Sequence, residues 1–195
     1  MEETLQPLLE LLKKTTMPKN SQRTNSGLGR SQCFGIVNRR LRGIGEGVNN
    51  YKYPKIYAEL RRLSKILAPE NNYTTFTVNV NYEAKTHIDK YNDGVSTTVA
   101  FGDFTGGELV FGGEAHSTRY NPITFGAYNT PHSVNPSQGD RYSIVMYRPK
   151  FTKEFQASYK DYTIEQIEAL LEKPTKGRPA SVIRLMLEEK KTKTE

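Results

Sequence analysis

From Tyr73 to Pro149 the chain adopts a period of two, and this limits what it can fold into. Phe76, Val78, Val80 and Tyr82 alternate with Thr75, Thr77, Asn79 and Asn81. Successive side chains of a strand point to opposite faces, so the run predicts a strand with one apolar and one polar face. Further strand-like runs follow, giving predicted strands near 73–82, 84–88, 95–101, 108–111, 116–120, 123–127, 130–134 and 141–148. Gly94, Gly102, Gly106-Gly107, Gly112-Gly113, Asn121-Pro122 and Gly139 punctuate them. Eight short antiparallel strands with no long helix between them predict a mainly β fold. The expected architecture is a double-stranded β-helix (jelly roll, cupin-like) with flanking α-helices.

The flanks read differently. Leu5, Leu8, Leu9 and Leu12 recur at helical spacing and predict an amphipathic helix over 2–14. Residues 15–30 read as a loop. Residues 31–50 fit neither pattern; Gly43, Gly45 and Gly47 alternate there without the context of a phosphate loop. Pro54 opens a second helix and Pro69 closes it, with Ile56, Leu60, Leu63 and Leu67 on one face, expected to buttress the outside of the sheet. Beyond the strands, Thr163 and Gln166 form a capping-box pattern ahead of Ile164, Ile167, Leu170 and Leu171. Val182, Leu185 and Met186 suggest a last short helix before a charged tail, 188–195. The expected organisation is one structural domain. N-terminal helices and a basic loop fill 1–72, the jelly-roll core 73–149, and C-terminal helices and tail 150–195.

Candidate chemistry lies within the strands. His87 and Asp89 are two residues apart, and on a strand that spacing points both to the same face. His132 follows forty-five residues after His87, on another predicted strand. Two histidines and one carboxylate, gripping one face of an iron and leaving the other open, are the ligand set of non-haem Fe(II) oxygenases. Arg141 follows nine residues after His132 and shares a strand face with Ser143, while Tyr142, Ile144 and Met146 point the other way. An enzyme that splits O2 needs electrons from a co-substrate, usually 2-oxoglutarate. An arginine fork with a neighbouring hydroxyl suits that molecule's far carboxylate. His116 has no partner in this pattern and reads as a surface hairpin residue. Arg148 reads as a strand end, and Gly106-Gly107 as a hairpin turn that shapes the pocket only indirectly.

The order His87-x-Asp89, His132, Arg141-x-Ser143 resembles the 2-oxoglutarate/Fe(II)-dependent dioxygenase superfamily over roughly residues 73–149. His87-Ile88-Asp89-Lys90-Tyr91-Asn92, Gly106-Gly107-Glu108-Leu109 and Arg141 to Tyr147 together are similar to the TET/J-binding-protein branch, which oxidises methyl groups on pyrimidine bases. The cysteine-rich region of animal TET proteins has no counterpart here, because Cys33 is the only cysteine. The resemblance implies that His87, Asp89 and His132 hold Fe(II), and that Arg141 and Ser143 bind 2-oxoglutarate. It also implies that O2 is consumed, succinate and CO2 are released, and a C–H bond is hydroxylated. Asn79 or Asn81 would contact the co-substrate or a ligand histidine. Asn92 would orient the metal loop or contact substrate, and Arg39 and Arg40 are candidate substrate contacts.

Charge bears on the partner. The net charge is +7, but residues 73–149 hold 5 Lys/Arg against 7 Asp/Glu. Residues 31–72 hold 8 against 3, and residues 173–195 hold 7 against 3. Basic flanks around a slightly acidic core can attract a polyanion or can be a plain solvated lysine-rich surface; together with the branch resemblance they make nucleic acid the expected partner. A protein side chain, as in prolyl hydroxylation, is the alternative substrate, and a jelly-roll binding module without catalysis the alternative role. One cysteine excludes an internal disulfide, and no apolar run approaches the ~20 residues of a membrane span. With no recognisable secretory signal, an intracellular (cytoplasmic or nuclear) location is expected.

Overall fold

In the computed structural model the alternation is realised strand by strand. The structure describes residues 1–18, 29–39, 43–150 and 163–172, with 187, 190 and 191. Among these residues ten strands are formed: β1 (Arg30–Arg39), β2 (Gly43–Glu46), β3 (Thr75–Val80), β4 (Ala84–His87), β5 (Ser96–Gly106), β6 (Leu109–Phe111), β7 (Glu114–His116), β8 (Ile123–Phe125), β9 (His132–Val134) and β10 (Ser137–Tyr147). They build two antiparallel sheets, a six-stranded one in the order β2-β1-β3-β10-β5-β8 and a four-stranded one in the order β4-β9-β6-β7. From β3 onward the chain passes from one sheet to the other at every step except the β6–β7 hairpin, which is the jelly-roll path.

The six-stranded sheet separates two environments. On β3, β5 and β10, Phe76, Val78, Val99, Phe101, Tyr142, Ile144 and Met146 point to one face, against α1 (Glu2–Lys13) and α3 (Pro54–Leu67). Leu5, Leu8, Leu9 and Leu12 of α1 and Ile56, Leu60 and Leu63 of α3 complete that core. Full burial of such side chains stabilises by roughly 1.5–3 kcal/mol each, so this layer is the main apolar reservoir. Intervening residues, among them Thr77, Asn79, Thr98, Arg141 and Ser143, face the second sheet and line a cavity. Apolar packing therefore lies outside the β-sandwich, as expected of helices that buttress the sheet, and polar chemistry lies inside it.

All eight strands expected between 73 and 149 are present, with shifted ends. The fifth of them, expected over 116–120, is β7 (Glu114–His116) instead. The chain after it is held by the other sheet: Ala100 donates its N–H to the Thr118 carbonyl (2.9 Å), and Tyr120 donates to the Ala100 carbonyl (2.8 Å). Residues 31–50, undecided from sequence, hold β1, β2 and the short helix α2 (Val48–Lys52). β1 pairs with β3, so the six-stranded sheet draws strands from before residue 73. The alternation in β1 is interrupted at Gly35, whose φ is +83°. Gly35 stays in register with Thr75, and a distant side chain takes up its backbone groups: Gly35 N–H donates to Asn50 Oδ1 (2.7 Å) and Asn50 Nδ2 donates to the Gly35 carbonyl (3.1 Å).

The capping box at Thr163 is formed. Thr163 N–H donates to Gln166 Oε1 (2.8 Å), Gln166 N–H donates to Thr163 Oγ1 (3.2 Å), and α4 (Ile164–Glu172) follows. Most of the expected 15–30 loop, the helix expected around Val182, Leu185 and Met186, and most of the charged tail lie outside the described residues. No helix among the described residues is long and apolar enough to cross a membrane.

Candidate active site

His87 ends β4 and His132 opens β9, and the two are register partners across the sheet. Their ring centroids lie 4.3 Å apart. Asp89 falls two residues past the end of β4, in a loop rather than on the strand. Its N–H donates to the Ala127 carbonyl (2.9 Å), and its Oδ1 lies 3.6 Å from His87 Nε2. One ligand atom from each of His87, Asp89 and His132 lies within 4.8 Å of the others, and the described residues contain no other such group.

Both imidazoles are oriented by backbone two residues upstream. His87 Nδ1 is 2.7 Å from the Lys85 carbonyl, and His132 Nδ1 is 2.9 Å from the Thr130 carbonyl. Donation from Nδ1 leaves the Nε2 lone pair as the free donor, the tautomer a metal requires. Burial pushes the His132 pKa down, against the opposing pull of the Thr130 carbonyl, and so favours the neutral ring. The edge of Phe125 meets the His132 ring at 5.1 Å. Two imidazole nitrogens and one carboxylate on one side, with an open cavity on the other, fit a facially ligated Fe(II).

Asn92 is buried beside this cluster. Its Nδ2 donates to Asp89 Oδ2 (3.3 Å) and to Ser96 Oγ (3.2 Å), and its backbone N–H donates to the Asp89 carbonyl (2.8 Å). It therefore holds the carboxylate oxygen that faces away from His87, although it also lines the cavity.

Arg141 and Ser143 project from β10 into the same cavity, whose volume is about 820 Å³ measured out through its open mouth. Arg141 is 3% exposed, yet no carboxylate lies within ion-pair distance of it among the described residues. Its Nη1 donates to Ser143 Oγ (3.4 Å), and its Nε has no partner. Burial lowers its pKa to about 10, with Glu108 pulling the other way, so it remains a cation at neutral pH. The guanidinium carbon lies 5.6 Å from the Phe104 ring centroid, and that of Arg119 lies 5.4 Å from the same ring. Gly107, at φ +71°, closes the remaining side: a Cβ there would sit 2.5 Å from Arg141 Nε. The Gly106-Gly107 pair thus does more than turn a hairpin, since Gly107 leaves the space that the arginine fills.

Asn79 and Asn81 occupy different places. Asn79 is buried and lines the cavity; its Nδ2 donates to Ser143 Oγ (3.4 Å) and its Oδ1 has no partner. Asn81 is exposed, in the left-handed region at φ 48°. Its Oδ1 accepts the Arg141 N–H (2.7 Å) and its own N–H donates to the Arg141 carbonyl (2.8 Å), so it clamps the arginine backbone from outside the cavity. Arg39 ends β1, where its backbone pairs with Gly43. The Arg39 side chain and all of Arg40 lie outside the described residues. His116 ends β7, half-buried, with its ring stacked on Phe111 at 4.2 Å, and so is not a plain surface residue. Arg148 follows β10 and pairs with Asp93 at 2.9 Å.

Strand parity would have added Thr77 to the face of Asn79, and Val145 and Tyr147 to that of Arg141; all three line the cavity. Phe104 and Ala127 reach the site through long-range pairing and carry no local signal.

No protein-family model matches the sequence, and no curated protein matches it. Solved structures do. NgTET1 in complex with 5mC DNA aligns over 76% of this chain and 67% of its own, at 14% identity and a TM-score of 0.52. A Pseudomonas putida prolyl-4-hydroxylase aligns over 76% and 86%, at 14% identity and a TM-score of 0.46. An oxidoreductase of the 2OG-Fe(II) oxygenase family from Burkholderia pseudomallei aligns over 73% and 76%, at 15% identity and a TM-score of 0.44. The first of these establishes that the chain shares its jelly-roll fold with NgTET1, as the sequence resemblance implied.

Proposed function

We propose that this chain is an Fe(II)- and 2-oxoglutarate-dependent dioxygenase that hydroxylates a C–H bond. The balance is R–H + 2-oxoglutarate + O2 → R–OH + succinate + CO2. The observation that carries the reading is Arg141, a buried guanidinium with no carboxylate partner among the described residues, lining the same cavity as His87, Asp89 and His132. A buried unpaired cation costs several kcal/mol, and an anionic ligand removes that cost.

Arg141 and Ser143 bind the far carboxylate of 2-oxoglutarate, and Asn79, whose side chain already reaches Ser143, borders it. His87, Asp89 and His132 would hold Fe(II), leaving the cavity side free for the co-substrate. Bound Fe(II) supplies O2 activation coupled to decarboxylation of the co-substrate. Asn92 keeps Asp89 turned toward the two imidazoles, and the Lys85 and Thr130 carbonyls keep the ring tautomers fixed.

For the substrate, we propose the methyl group of a pyrimidine base in nucleic acid. The basic flanks support this, as does the shared fold with NgTET1, a protein solved with 5mC DNA. Anaerobic addition of Fe(II) and 2-oxoglutarate should give a visible metal-to-ligand charge-transfer band that Asp89→Ala abolishes. Absence of the band in folded wild-type protein would refute the dioxygenase. Succinate release stimulated by peptides but not by oligonucleotides would refute the nucleic-acid substrate.

A further inference from the structure

Three of the large apolar side chains exposed among the described residues lie on two loops beside the metal ligands. Ile88 (44% exposed) and Tyr91 (71%) flank Asp89, and Tyr128 (39%) follows Ala127. Single exposed apolar residues are ordinary, but three on adjoining loops at a cavity mark a contact surface. These loops are tied down. Asp89 N–H donates to the Ala127 carbonyl (2.9 Å), Asp93 N–H to the Arg148 carbonyl (2.7 Å), and Lys150 N–H to the Tyr91 carbonyl (2.8 Å). The rings are thus presented on fixed backbone.

The local charge is positive. Lys85, Lys90 and Lys150 are exposed here, and Lys90 Nζ lies 5.0 Å from the Tyr91 ring centroid. Of the nearby acids, Asp93 pairs with Arg148 and Asp89 belongs to the metal cluster, which leaves Glu83. Aromatic faces interleaved with lysines fit a polyanion carrying planar groups. Stacking on an exposed tyrosine needs a base whose own face is free, which a paired base inside a duplex does not offer.

We infer that these two loops form a stacking platform for an unpaired nucleic-acid strand, with Tyr91 and Tyr128 against bases and Lys85 and Lys90 against phosphates. The inference rests on the nucleic-acid reading above for the chemistry of its occupant. It is tested by fluorescence anisotropy of the full chain, without Fe(II) or 2-oxoglutarate, against a labelled single-stranded 12-mer of thymidine, a duplex of the same length and an acidic peptide. The single strand should bind tightest. Tyr91→Ala should weaken it about ten-fold and Tyr91→Phe should not. Lys90→Glu should weaken it and flatten its salt dependence. Failure to bind the single strand, tighter binding of duplex or peptide, or a Tyr91→Ala protein that binds like wild type would each overturn the platform. Because the assay needs neither metal nor co-substrate, an intact charge-transfer band beside a failed platform leaves the dioxygenase standing. A bound strand without the band removes the dioxygenase and leaves the platform.

Discussion

Replacing Gly107 with alanine should weaken 2-oxoglutarate binding while leaving the metal cluster untouched. The added Cβ would lie 2.5 Å from Arg141 Nε and 2.6 Å from its Cδ. Comfortable carbon contacts begin near 3.5 Å, so the guanidinium must retreat by about 1 Å. With Phe104 against its guanidinium and Asn81 clamping its backbone, Arg141 can give way only into the cavity it lines, which takes the fork off the co-substrate carboxylate. Charged hydrogen bonds contribute roughly 1.5–3 kcal/mol, so a displaced fork should raise the Kd for 2-oxoglutarate about 10- to 150-fold. A further ~1–2 kcal/mol of stability should be lost because alanine at φ +71° is strained. The assay is anaerobic titration of 2-oxoglutarate into Fe(II)-loaded protein, followed through the charge-transfer band, beside a separate Fe(II) titration and a thermal melt. Unchanged 2-oxoglutarate affinity with a lowered melting temperature would show that Gly107 only makes the turn. Equal loss of Fe(II) and 2-oxoglutarate would show that the substitution disturbs the whole site.

Asn92→Ala should weaken Fe(II) binding about 10- to 100-fold, the usual cost of losing a partner of a ligand carboxylate; direct metal titration checks this, and unchanged affinity would mean that Asp89 holds its orientation without the amide. Ile144→Ala should cost about 2–5 kcal/mol in urea unfolding, because Ile144 is fully buried in the helix-facing core, yet leave 2-oxoglutarate affinity close to wild type.

Much of this was readable from residues 73–149, because one physical rule, alternation, governs both the strands and the cavity. His87, His132, Arg141 and Ser143 sit on strands where parity could sort them. Asp89 lies past the strand end, and only the Ala127 carbonyl brings its carboxylate back. That contact joins residues thirty-eight apart and leaves no local trace. Asn81 was legible as polar but not as outward-facing, since its left-handed backbone breaks the alternation at the end of β3. The pair β1 and β2 escaped for a related reason: Gly35 breaks the apolar alternation in β1, and the Asn50 side chain that bonds its backbone lies fifteen residues away. His116 needed its stacking partner Phe111 in view before it could be placed.

The two-faced sheet has a consequence for insertions and deletions. Along β10, Arg141 and Ser143 face the cavity while Tyr142 and Ile144 face the helices. Losing one residue within this strand would exchange the two sets, driving a guanidinium into hydrocarbon and an isoleucine into the co-substrate site. The Gly112-Gly113 turn, where an added Cβ meets nothing within 4 Å, is under no such constraint. Length variation in this fold should therefore collect at hairpin tips such as this one, while β3, β5 and β10 keep a constant residue count even where their side chains change.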